Sequence, residues 1–249
     1  MQDCKVDTIV ARTIHIILTI NFIALASGCT AIKELKLKTP TLFGLEQIAA
    51  NVYVSKDMGF QERKNLLVEI AKAKPRVIRI FGDIKSNPTV YAFTNEEQFR
   101  SFGGYGAGRA VNNGFMLLPS TMNSSAISHE WTHEELYTRV GKEGYKKFPM
   151  WFHEGLATIV GDLPQHSEAV WNEAYTAGFP IPPLTDLESL KDWSQAFAKY
   201  SNPKGLNVVY STAGHEVRGW YGRAGQEGLL ELLSAVRGDG NFYDIYSEY

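Results

Sequence analysis

The spacing of apolar residues changes near residue 123, and this change constrains the fold more than any other feature of the sequence. A segment with helical spacing, 60–74, is predicted to stop at Pro75. Around it lie short runs typical of β-strands, at 51–55, 76–82, 89–94 and 114–120. After residue 123 the spacing is helical to the end. Strands followed by helices predict an α+β fold, with a small mixed sheet packed beside a mainly helical core.

Composition excludes two classes of protein. The chain has 249 residues and a formal net charge of -2, without a run of lysine and arginine broken by aromatic residues, so no nucleic acid partner is expected. Its two cysteines, Cys4 and Cys29, both lie near the N-terminus. They provide neither a disulfide framework nor a cysteine zinc cluster for the rest of the chain. Any metal site must therefore use His, Asp or Glu.

The first thirty residues have the pattern of an export signal. Lys5 and Arg12 precede the apolar stretch 14–26, which is too short to span a bilayer as a mature helix. The segment Leu-Ala-Ser-Gly-Cys that ends at Cys29 resembles the lipobox of bacterial lipoproteins, in which the cysteine is lipidated and becomes the mature N-terminus. The resemblance implies a lipid anchor on Cys29. The alternative interpretation is a buried N-terminal helix.

This interpretation divides the chain into three parts. Residues 1–28 are a signal peptide of the lipoprotein type, 29–47 form a polar tether, and 48–249 form one domain. The anchor implies a domain held in the bacterial cell envelope, facing the periplasm. Several acyl chains on one cysteine would hold it firmly, since each buried methylene contributes about 0.8 kcal/mol.

The glycine-rich segment 101–110 does not spell the G-x-G-x-x-G pattern of a nucleotide site. It also does not stand between a strand and a helix. We therefore expect a flexible loop that leads to the strand beginning at 114.

The segment 123–141 predicts a helix of about four turns, with asparagine and serine at its start and a glycine at its end. His129 and His133 lie four positions apart in it. At ~100° and ~1.5 Å per residue they project from one face, one turn apart, so both imidazoles can reach one ion. Glu130 projects beside them and can hydrogen-bond a metal-bound water without being a ligand.

A catalytic zinc site takes three protein ligands and leaves one position for water, so the downstream sequence should supply another ligand. The residues from Pro149 to Gly161 predict a second helix that carries His153 and Glu154. Adjacent helical residues diverge by ~100°, so one of the two is expected to bind the ion. Glu154 is the preferred ligand, and His153 is interpreted as a partly exposed residue at the edge of the cleft.

These two helices resemble the gluzincin metallopeptidases, the clan of thermolysin and the aminopeptidase N type. In that clan H-E-x-x-H is followed by a helix that often reads W-x-x-E-G-x-A. The matching residues here are Trp151, Glu154, Gly155 and Ala157. The resemblance extends more loosely over residues 48–249.

The resemblance implies a zincin-like core that holds one Zn²⁺ per chain. Its ligands would be His129, His133 and Glu154, and Glu130 would act as general base. It also implies that the strand beginning at 114 is the sheet edge along which an extended substrate lies.

The mechanism also needs a donor for the oxyanion and hydrogen-bond partners for the histidine N–H groups. Tyr210 and His215 are the candidate donors, and the position of tyrosine in similar domains favours Tyr210. Asp162 and Thr158 are candidate hydrogen-bond partners for an imidazole N–H. The sequence does not choose between these two.

Other polar and aromatic residues are interpreted as structural. Glu134 and Glu135 are expected to form a solvated helix face. Tyr105, Trp151 and Phe152 could line a cleft, but isolated aromatic residues more often belong to the core.

The sequence therefore predicts a zinc-dependent peptidase that hydrolyses peptide bonds of a peptide or protein substrate and is anchored in the cell envelope. The alternative is a binding or assembly lipoprotein that keeps the peptidase-like fold and its metal without catalysis. An intact H-E-x-x-H favours the enzyme, because Glu130 has no evident role in a purely structural site.

Overall fold

A computed structural model of the chain describes residues 31–106, 108–111 and 113–249. Within these ranges the helices are α1 (31–38), α2 (Phe60–Phe81), α3 (Glu96–Ser101), α4 (Ser124–Tyr145), α5 (Met150–Gly161), α6 (Glu168–Thr176), α7 (Leu190–Lys199), α8 (Val208–Arg237) and α9 (Phe242–Tyr246). The strands are β1 (Leu45–Ala49), β2 (Val52–Ser55), β3 (Thr89–Ala92), β4 (Gly108–Val111) and β5 (Gly114–Leu117). A small mixed sheet thus accompanies a mainly helical chain, and the predicted α+β class is confirmed.

The five strands form one sheet in the order β1-β2-β3-β5-β4. The central pairs β2–β3 and β3–β5 are parallel, and the outer pairs β1–β2 and β4–β5 are antiparallel. The edge strand beside α4 is therefore β4, and the prediction that the strand at 114 forms this edge is wrong. Residues 108–110, predicted to be loop, belong to β4. Asn113, with φ of 59°, turns the chain so that this short segment pairs with β5.

The predicted strand at 76–82 is wrong, because α2 continues through Pro75 to Phe81. Proline removes one main-chain hydrogen bond and crowds the preceding turn, and on this local ground it predicts the end of a helix. Tertiary packing outweighs this local cost, since Ala73, Val77 and Ile80 are buried at helical spacing along one side of α2.

The folded part of the chain begins earlier than residue 48. Leu45 in β1 is fully buried, and the hydroxyl of Tyr91 donates a hydrogen bond to the Leu37 carbonyl in α1. Residues 45–47 therefore belong to the sheet rather than to a tether. The predicted signal peptide at 1–28 and Cys29 lie outside the described residues. In the described part of the chain, no helix is long and apolar enough to cross a membrane.

Helix α5 lies at the centre of the main core and packs against both α4 and α8. Trp151 and Phe152 are almost completely buried there, so they are core residues and do not line a cleft. The backbones of α5 and α8 approach so closely that a Cβ atom at Gly155 would lie 2.4 Å from the Ala213 carbonyl oxygen. A larger residue than glycine at position 155 would therefore collide with α8.

We expect Gly155→Ala to lower the free energy of unfolding by about 1–3 kcal/mol, because the added methyl group forces two packed helices apart. Urea denaturation measures the change. Gly222→Ala in α8 is the matched control, since no atom lies within 4 Å of a Cβ placed there. The control should be neutral or stabilising by up to about 1 kcal/mol, the helix propensity difference. Equal effects of the two substitutions would contradict the close approach.

Candidate metal centre

Two histidines project from α4 into a shared pocket. The side chain of Asn123 caps this helix by accepting a hydrogen bond from the Ala126 amide, as the sequence predicts. The helix is regular up to Gly141, whose φ of 73° bends the chain. On the regular part, the rings of His129 and His133 lie 5.1 Å apart between centroids. Both side chains are buried.

Helix α5 brings Glu154 to these histidines. Pro149 caps the helix in an extended conformation, and the helix runs to Gly161 as predicted. The Nε2 atom of His129 lies 3.4 Å from Glu154 Oε2, and that of His133 lies 3.6 Å from Glu154 Oε1. Each of these three side chains offers one ligand atom, an imidazole nitrogen or a carboxylate oxygen. The three atoms all lie within 4.8 Å of one another.

The spacing of the three side chains suits a tetrahedral zinc ion. Two atoms bound at about 2.0–2.1 Å and separated by a tetrahedral angle lie about 3.3–3.4 Å apart. His129 Nε2 lies 3.4 Å from Glu154 Oε2, close to this value, and His133 Nε2 lies 3.6 Å from the other carboxylate oxygen, Oε1. Glu154 Oε2 is also buried and accepts no hydrogen bond of normal geometry from the described residues. A buried carboxylate oxygen without such a donor favours a cation beside it.

Burial and charge favour the metal-binding protonation state of two of the three candidate ligands, Glu154 and His133. Burial alone would raise the pKa of Glu154, but the neighbouring His133 and His129 lower it to about 2, so the carboxylate is ionised. Burial lowers the pKa of His133 to about 3, which leaves its imidazole neutral at pH 7 with a lone pair available. For His129 the burial effect is outweighed by Glu154, which raises the pKa of the imidazole.

Glu130 lies beside the three ligands, between α4 and the edge strand. It lines the same cavity as Ala110 of β4. A Cβ atom at Gly108 would lie 2.9 Å from Glu130 Oε1, so the strand passes close to this carboxyl. Burial raises the pKa of Glu130 to about 7. A pKa near neutrality suits a group that accepts and returns a proton.

Of the two candidate oxyanion donors, only Tyr210 lines the cavity that contains the ligands. Its ring packs edge-on to His129 at 6.0 Å and stacks on His166 at 4.2 Å. Burial raises the pKa of Tyr210, so its hydroxyl stays protonated and can donate. His215 lies elsewhere, with its ring stacked on Trp171 at 3.6 Å.

Neither Thr158 nor Asp162, the two predicted partners, hydrogen-bonds a ligand histidine. Thr158 is buried, but its hydroxyl has no hydrogen-bond partner in the described part of the chain, and Asp162 is exposed at the end of α5. Instead, the hydroxyl of Tyr145 lies 3.3 Å from His133 Nδ1. This contact fixes the His133 ring so that Nε2 faces Glu154. The sequence offered no spacing signal for Tyr145 or for His166.

One imidazole and two carboxylate side chains are buried, although the sequence predicts that they are at least partly exposed. His153 is buried against the Tyr145 and His133 rings rather than partly exposed. Glu134 is also buried, and burial raises its pKa to about 8. Glu135 is fully buried and accepts hydrogen bonds from the Lys85 and Ser86 amides. The solvated face predicted for the two glutamates is therefore wrong.

A cavity of about 580 Å³ surrounds the ligands and opens beside α7. Tyr105 lines this cavity, which agrees with the cleft position that the sequence allows for it. Helix α7 adds an apolar wall of Leu190, Trp193 and Phe197. These residues stand at the i, i+3, i+7 spacing of one helix face. That spacing is visible in the sequence but does not reveal that the face is turned toward the metal ligands.

Comparison with models of known protein families finds no match, and no curated protein matches the chain significantly. Geometry and chemistry of the site are therefore the basis for assigning a function.

Proposed function

We propose that the protein is a zinc-dependent peptidase that hydrolyses peptide bonds. One Zn²⁺ per chain would be held by His129, His133 and Glu154. The observation that carries this proposal is the convergence of two imidazoles and one ionised carboxylate, from two helices, with one ligand atom each within 4.8 Å of the others. The resemblance of both helices to the gluzincin pattern supports the same assignment.

Zinc bound there would act as a Lewis acid on the scissile carbonyl and lower the pKa of a coordinated water to about 7. The Glu130 carboxylate accepts the proton of the attacking water and delivers it to the leaving amine. The Tyr210 hydroxyl donates a hydrogen bond to the oxygen that gains negative charge. The Tyr145 hydroxyl orients the His133 ring through Nδ1, so that Nε2 faces Glu154.

We further propose that Cys29 carries a lipid that anchors the protein in the bacterial cell envelope, on the periplasmic side. In bacteria that express the full chain, radiolabelled palmitate should label the wild type and not Cys29→Ala. Cys4→Ala is the matched control, since Cys4 is the other cysteine of the chain, and it should be labelled like the wild type. Labelling that survives Cys29→Ala would reject the anchor.

The first test of the metal site is zinc content near neutral pH, measured by elemental mass spectrometry on protein produced from the full chain. The wild type should hold about one zinc ion per chain, and Glu154→Ala should lose it, because two histidines alone bind zinc weakly. His153→Ala is the matched control and should keep the metal. Loss of zinc in His153→Ala but not in Glu154→Ala would reject the ligand assignment.

Activity then separates the enzyme from the alternative of a metal-keeping binding protein. Zinc-loaded wild type should hydrolyse members of a broad peptide library, and a chelator should stop the reaction until zinc is restored. Protein that holds zinc yet cuts no peptide would favour the binding protein.

A further inference from the structure

Three cavities lie in a row beside α4. The polar cavity, about 620 Å³, is lined at its outer end by Ser120, Asn123, Ser125, Gln165 and His166. The metal cavity, about 580 Å³, contains His129, Glu130, His133 and Glu154. The α1 cavity, about 350 Å³, is lined at its outer end by Lys33, Glu34, Glu134 and Tyr137.

Shared walls join the three cavities into one groove. The polar and metal cavities both include His129 and Tyr210, and the metal and α1 cavities both include His133 and Tyr145. The candidate metal centre therefore lies in the middle of the groove, with space on both sides, rather than at a closed end.

The length of the groove follows from α4. Its wall runs from Asn123 to Tyr137, which is about 21 Å at the helical rise per residue. An extended peptide rises about 3.4 Å per residue, so about six residues fit along it.

The opposite wall is the edge strand β4. In the described residues β4 pairs with β5 alone, so its other side faces the groove. Gly108 lines both the polar and the metal cavity, and Ala110 lines both the metal and the α1 cavity. A strand edge beside a groove of this length suits an extended peptide backbone.

The middle of the groove is apolar on the α7 side. Leu190 is 62% exposed and Phe197 is 41% exposed, although both are large apolar side chains. Together with buried Trp193 they form a wall that a large apolar substrate side chain would cover.

The charges at the α1 end do not select a chain terminus. Lys33 and Arg109 are cationic and Glu34 is anionic, so this cavity offers partners of both signs. A site that recognises a free amino or carboxyl terminus would need charge of one sign beside the metal.

We propose that the groove binds an internal segment of about six residues of an extended polypeptide, with a large apolar side chain against α7. The protein would then be an endopeptidase. This inference rests on the proposed peptidase function and adds its substrate class.

The test compares peptides of about eight residues that share one sequence with a central phenylalanine. One has free ends, and the other is acetylated and amidated. Zinc-loaded wild type should cut both at similar kcat/KM and should cut the central dipeptide far more slowly, because a truncated substrate loses binding along the groove. Hydrolysis of free-ended peptides alone would overturn the endopeptidase inference and leave the peptidase proposal intact. No hydrolysis of any peptide would reject both.

A second measurement tests the apolar wall. Phe197→Ser should lower about tenfold the ratio of kcat/KM for peptides with central phenylalanine over those with central serine, and Phe197→Leu should restore most of it. Phe60→Ser is the control, since Phe60 is exposed at the start of α2, outside the groove. An unchanged ratio in Phe197→Ser would overturn the assignment of α7.

Discussion

Replacing Glu130 with glutamine is expected to lower kcat for peptide hydrolysis by about 10²–10⁴-fold. Glutamine keeps the shape of the side chain, but its amide cannot accept a proton from water at neutral pH. Because Glu130 is not among the three side chains that converge at 3.4–3.6 Å, the variant should keep its zinc. Kinetics on a blocked peptide and zinc content together measure this result.

Glu143→Gln is the matched control. Glu143 lies on the same helix but is largely exposed, in an ion pair with Lys146. This variant should hydrolyse peptides at the wild-type rate. Full activity of Glu130→Gln would exclude the general base, and loss of zinc from it would show that Glu130 is a ligand.

The candidate metal site was predictable because most of it is local in sequence. His129 and His133 are one helical turn apart, so their shared face follows from helix geometry alone. Glu154 lies on a second helix whose start at Pro149 and end at Gly161 are marked by ordinary signals. The convergence of these two helices required only a short connection, and the structure has one.

Tyr145 shows why the rest of the site was not predictable. It lies twelve residues beyond His133, which on a straight helix is a separation of about 18 Å. The positive φ of Gly141 bends α4, so the Tyr145 hydroxyl comes back to 3.3 Å from His133 Nδ1. The sequence predicts that the helix ends at Gly141, but the direction of the chain after it depends on tertiary packing.

The sheet edge depends on long-range pairing in the same way. The four residues of β4 follow a glycine-rich stretch and carry little strand signal of their own. They become a strand because β5, which is buried and paired on its other side with β3, offers them a partner. In helix α2, packing acts against a local signal instead. Pro75 predicts the end of the helix, but the helix continues to Phe81.

Glu135→Ala is expected to lower the free energy of unfolding by about 1–3 kcal/mol, the usual cost of leaving a buried hydrogen-bonding group without its partner. The Glu135 carboxylate is fully buried and accepts hydrogen bonds from the Lys85 amide and from both the amide and hydroxyl of Ser86. It also pairs with Arg139 at 2.7 Å. Alanine would leave the buried amide and hydroxyl of Ser86 without this acceptor, whereas Arg139 would keep its ion pair with Asp83.

Urea denaturation measures the loss, and Glu96→Ala is the control because Glu96 and Arg100 form an exposed pair at the same i, i+4 spacing. The control should change the free energy of unfolding by less than about 0.5 kcal/mol. The loss in free energy of unfolding for Glu135→Gln should lie between those of Glu135→Ala and the control. Its amide oxygen can still accept a hydrogen bond, but the charge facing Arg139 is gone. If Glu135→Ala changed the free energy of unfolding as little as the control does, other contacts would hold the loop before β3. Buried Glu135 would then not contribute measurably to stability.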